Sequence, residues 1–114
     1  MEKISKDRLR ECLMEKEYMV LLFSSAMDVN SVLAENALES LMDSYSASAS
    51  FYKSDITEDV SLAQVYSVFS TPRILVFRKG NLLEAVTGVM SHSVMRGFLD
   101  RVISHQECTP GSRS

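Results

Sequence analysis

Tryptophan is absent, and cysteine, histidine and proline occur twice each, as Cys12 and Cys108, His92 and His105, Pro72 and Pro110. With one cysteine near each end, the tight spacing of zinc sites and redox pairs is missing. In a reducing compartment both would be free thiols. The histidines stand apart from any cluster at ligand spacing, so no metal is expected. The four glycines are scattered, which excludes a phosphate-cradling loop, and no cofactor is implied. Basic residues form no run or aromatic-basic cluster, and twelve of them against fifteen acidic residues leave a charge of -3, so nucleic acid is not an expected partner. The longest apolar run, Met19 to Phe23, is too short to span a bilayer. Met1 to Arg8 has no apolar signal-peptide segment. The expectation is a cytoplasmic chain with no membrane partner.

What is present fits one globular domain. The 114 residues are 46% hydrophobic and 24% charged, near the globular average, which argues against disorder. We expect a domain over residues 1–105 and a flexible polar tail over 106–114.

Ser5 is placed to cap a helix running to Glu17, with Leu9, Cys12 and Leu13 at i, i+3, i+4 on its core face. Tyr18 to Phe23 has no polar alternation, so it reads as a strand buried on both faces. From Asp28–Ser31 onward, Ala34, Ala37, Leu38, Leu41, Met42 and Tyr45 repeat at helical spacing. Ser46 to Ser50 breaks that pattern, and Phe51 to Ile56 offers a second strand. A short helix over Glu58 to Val68 follows, with Val60, Ala63 and Val68 directed to the core. Arg73–Phe77 and Leu82–Thr87, joined by Lys79-Gly80, predict an antiparallel hairpin. Ser91 caps a last helix whose Met95, Phe98, Leu99, Val102 and Ile103 share one face. Alternation followed by a hairpin implies an α/β fold, a mixed sheet with helices on both faces.

That order, with Thr71-Pro72 opening the third strand, resembles the thioredoxin family from about Met19 to Ile103. Phe23 ends the first central strand and Tyr45 closes the long helix. Pro72 stands at the family's cis-proline position. Phe77-Arg78-Lys79-Gly80-Asn81 is similar to the family hairpin Phe-Lys-Asn-Gly-Glu, and Gly88 and Phe98-Leu99-Asp100 also align. The resemblance implies a thioredoxin fold with four strands, or five.

The departures bear on function. Where the family has Trp-Cys-Gly-Pro-Cys, this chain has Met27-Asp28-Val29-Asn30-Ser31. Thiol-disulfide exchange needs an attacking thiolate and a second thiol to resolve the mixed disulfide, and this loop supplies neither. The family's buried aspartate is replaced by Leu22, which suits a core without proton transfer. Its helix-kinking proline becomes Asn36, while Lys53 matches its lysine on the neighbouring strand.

Asp28 can be read as a helix cap, or as a fixed negative charge held where relatives keep a thiolate, ready to pair with a cation on a partner. Ser31 has no activating base in view, so capping or solvent contact is expected rather than nucleophilic attack. Arg73 is either a solvated edge residue or a cation beside the groove. Met27, Met90 and Met95 are candidates for an adaptable binding face, and Met14, Met19 and Met42 for core filling.

By resemblance, Ser70, Thr71, Pro72, Arg73, Thr87, Gly88 and Val89 form with the degenerate loop a surface for an extended peptide. Strand addition needs no cysteine. The expectation is a non-catalytic peptide-binding or chaperone-like accessory protein, with no catalytic residue. Two alternatives are a thiol-dependent oxidoreductase using Cys12 or Cys108, and an oligomerisation module that buries this face in a homodimer.

Overall fold

Strand β2, Tyr18–Ser24, is buried along its whole length and forms the middle of the sheet. The computed structural model describes residues 1–88 and 91–104. Alternate side chains of β2 feed two separate cores, because successive residues of a strand point to opposite faces. Val20 and Leu22 pack under α2 (Val29–Leu41) and α4 (His92–Leu99). Met19, Leu21 and Phe23 pack against α1 (Leu9–Leu13) and α3 (Ser61–Val65). Each large apolar side chain so buried contributes about 1.5–3 kcal/mol.

Five strands lie in the order β1-β3-β2-β4-β5, where β1 is Glu2–Lys3, β3 Ala49–Asp55, β4 Arg73–Arg78 and β5 Asn81–Thr87. Strands β1 and β2 run parallel to β3, whereas β4 runs antiparallel to both β2 and β5. This is the mixed sheet with helices on both faces that the alternation implied. Lys79 and Gly80 both have positive φ, 51° and 85°, as a tight hairpin turn requires.

The fifth strand is β1, paired with Tyr52 and Lys53. Two charged residues leave no hydrophobic alternation, so its pairing partner alone defines it.

The first helix is shorter than the expected Ser5–Glu17. Lys6–Arg8 is a 3-10 turn, α1 ends at Leu13, and Ser5 makes no capping bond through its side chain. Glu17 is drawn instead to the hairpin: its carbonyl accepts from Lys79 N–H at 2.8 Å and its carboxylate pairs with Arg78 at 2.8 Å.

The helix expected over Glu58–Val68 contracts to Ser61–Val65. Asp55 accepts from Thr57 N–H and Asp59 from Ser61 N–H, so polar side chains hold the entry as turns. Val60 is consequently 52% exposed instead of in the core, while Ala63 and Val68 are buried as expected. Met14 is also exposed, not core filler, and Met95 of α4 is fully buried, not on a binding face. The long helix changes to a 3-10 turn at Met42–Tyr45. There the Tyr45 hydroxyl donates to Asp100, and burial together with that carboxylate pushes its pKa up to about 12, so it remains a donor at neutral pH.

Candidate functional site

The carboxyl end of β2 meets the start of α2 and the segment entering β4, and the degenerate loop turns there. Asp28 N–H donates to Ser25 C=O at 3.1 Å and Met27 N–H to Ser25 Oγ at 3.2 Å, which leaves Met27 projecting at 86% exposure. Asp28 is extended (φ −119°, ψ 111°) and caps α2, with Oδ1 accepting from Asn30 N–H at 3.0 Å. Its Oδ2 accepts two hydroxyls, Ser31 at 3.0 Å and Thr71 at 2.9 Å.

Asp28 is therefore held in ionised form. The Thr71 hydroxyl foremost, then Ser31 Oγ and the N–H groups of Asn30 and Ser31, outweigh partial burial and hold its carboxyl below the usual carboxylate range. A depressed native pKa stabilises the fold above the unfolded-state value near 3.8, and the contribution vanishes as pH falls through the native one. Urea midpoints of wild type and Asp28→Asn should accordingly differ most at about pH 5–7, wild type being higher, and converge below about pH 4. Asp55 and Asp59, also depressed, act equally in both proteins and cancel from the difference.

Ser31 is not in the solvent contact expected of it. It is buried, and Oγ is engaged both ways, donating to Asp28 and accepting from Ser25 N–H at 3.1 Å.

The opposite wall is Thr71-Pro72, whose peptide bond is cis. Pro72 is buried and its carbonyl accepts from Gly88 N–H at 2.8 Å, with Gly88 at φ 83°. Arg73 is half-buried, and its Nη1 donates to Thr87 Oγ1, its register partner across the hairpin, at 2.6 Å. Ser70, Val29 and Asn30 are exposed around these contacts. The structure thus brings together Asp28, Ser31 and Thr71, and separately Pro72 with Gly88 and Arg73 with Thr87. Val89, Met90 and Cys108 lie outside the described residues.

Two features escaped the sequence. Phe69 is 90% exposed at the mouth of an open cleft of about 280 Å³ whose walls include Ile56, Val60, Ala63 and Val68. Apolar periodicity cannot reveal it, because it assigns such residues to a core. The second feature is the partner of Lys53. Lys53 is the register neighbour of Leu22, and its Nζ pairs with Glu35 of α2 at 2.5 Å. A carboxylate on the helix therefore engages the lysine, and Leu22 sits fully buried beside it.

Cys12 is 1% exposed, buried in the core with Met19, Leu21 and Phe77. Among the described residues no group of three or more His, Cys, Asp or Glu side chains is arranged to hold a metal ion. Nor is any helix among them long and apolar enough to cross a membrane.

Residues 2–101 match the family model described as Thioredoxin. The chain belongs to the thioredoxin family. Solved thioredoxins share its fold: a single-site mutant thioredoxin from Halobacterium salinarum superposes with a TM-score of 0.79 at 19% identity, covering 90% of this chain and 88% of the other. Thioredoxin (Mala s 13) of Malassezia sympodialis gives 0.79 and 19%, with 90% of each chain covered. Mitochondrial thioredoxin 3 of Saccharomyces cerevisiae gives 0.78 and 17%, covering 89% of this chain and 94% of the other. No curated protein matches in sequence.

Proposed function

We propose that this thioredoxin-family chain binds an extended segment of a partner protein, as an accessory or chaperone-like factor, without dithiol chemistry. The supporting observation is the Thr71 backbone. Its side chain is committed to Asp28, yet neither its N–H nor its C=O makes a backbone hydrogen bond among the described residues, and the same holds for Ser70. Such groups, lying just before β4 and outside its ladder, are available to an incoming extended segment. The loop opposite has no thiol to attack a disulfide.

Dithiothreitol-driven insulin reduction should proceed no faster with the protein than without it. An NMR titration with a reduced, carboxymethylated unfolded polypeptide should shift the amides of Phe69, Ser70, Thr71, Arg73, Thr87 and Gly88. Catalytic turnover that disappears in Cys12→Ser or Cys108→Ser would overturn this reading in favour of a thiol enzyme.

A further inference from the structure

Every hydrogen-bond donor to the Asp28 carboxylate is neutral: the N–H groups of Asn30 and Ser31, Ser31 Oγ and Thr71 Oγ1. Among the described residues no Lys, Arg or His lies within ion-pair distance of it, whereas Glu17 has Arg78 and Glu35 has Lys53. Arg73, the cation on the groove wall, is directed to Thr87. The rim around Asp28 is open to solvent and carries large apolar side chains beside the exposed Asn30 and Ser70. Met27 and Val29 flank it, at 86% and 73% exposure, and Phe69 lies two residues before Thr71.

A ligand covering that rim strips water from the carboxylate, and burying an ion without a counter-charge is strongly unfavourable. The N-terminus of α2 supplies only a partial positive charge and no described side chain supplies a whole one, so a cation on the ligand is the favoured partner. The open cleft beside Phe69 accepts an apolar side chain, and two residues of extended chain span at most about 7 Å, three about 10 Å.

We infer that the segment bound at Thr71-Pro72 carries a lysine or arginine against Asp28 and, two or three residues away, a large apolar side chain seated beside Phe69. This rests on the peptide-binding reading above. Negative charge at the same position of the segment is selected against, because it would face Asp28 across a desolvated gap.

Synthetic acetylated peptides test it: a threonine-valine background with one phenylalanine and, three residues away in either order, a lysine, a glutamine or a glutamate. Titrated by fluorescence anisotropy at low salt, affinity should fall in the order lysine, glutamine, glutamate, with lysine at least about tenfold tighter than glutamine. Asp28→Asn, which keeps a good capping side chain, should abolish that ranking. Phe69→Ser, at an exposed position, should weaken all three. Equal binding of the three to wild type, with shifts at residues 69–72, would overturn the charge pairing and leave the peptide-binding reading standing. Binding of none would overturn both.

Discussion

Asp28→Cys combined with Ser31→Cys is expected to confer insulin reduction at a rate at least about tenfold above buffer, because a helix N-terminus lowers a thiol pKa toward 7 and makes about half of it thiolate at neutral pH, against a few per cent for a free cysteine. The geometry favours it. Residues 28 and 31 are one turn apart, and the present side-chain oxygens are 3.0 Å apart, so the two sulfurs would fall within bridging reach. The burial of Ser31 gives the second thiol the protected place of a resolving group. Thiol titration would show whether the 28–31 disulfide forms. A formed disulfide with no insulin reduction would show that a dithiol in this loop is not sufficient and that Leu22 or the face around Thr71-Pro72 also matters.

The largest stability effect is expected at Leu22. It is wholly buried between β3 and β4, so Leu22→Asp places an ion where no water reaches. An uncompensated buried charge costs about 3–5 kcal/mol, a large share of a small domain's stability, and the variant should unfold at far lower urea or accumulate as an unfolded chain. Lys53 faces the same position across the ladder but is held by Glu35. Glu35→Gln releases it, and the double variant should recover about 1–2 kcal/mol relative to Leu22→Asp alone. Strictly additive urea midpoints would show that Lys53 cannot turn to position 22, and the proposed exchange of partners would fail.

The fold was legible wherever burial repeats with a period. The unbroken apolar run of β2, the 3.6-residue spacing of α2 and α4, and the turn at Lys79-Gly80 all mark their elements without outside help. Elements held by polar side chains were not legible. Nothing in Glu2-Lys3 signals a strand, and α3 looked longer than it is because the Asp55 and Asp59 turns compete with the helix at its start. Met14 and Met95 exchanged roles for a related reason: apolar character does not say which residue meets a neighbour.

The site divided along the same line. Met27 to Ser31 and Ser70 to Gly88 could be placed by register with the family, and the capping tendency of aspartate pointed to Asp28. The bond from Thr71 to Asp28 spans 43 residues of chain. No local pattern encodes it, and so the commitment of Ser31, the counter-ion of Lys53 and the open cleft at Phe69 emerge only when distant segments meet.

The sharing of one oxygen, Asp28 Oδ2, between Ser31 and Thr71 makes the two walls of the groove a single thermodynamic unit. A substitution on either wall repolarises the bond to the other. Energies measured there belong to the trio jointly, and single-site effects on α2 and on the segment before β4 will not sum.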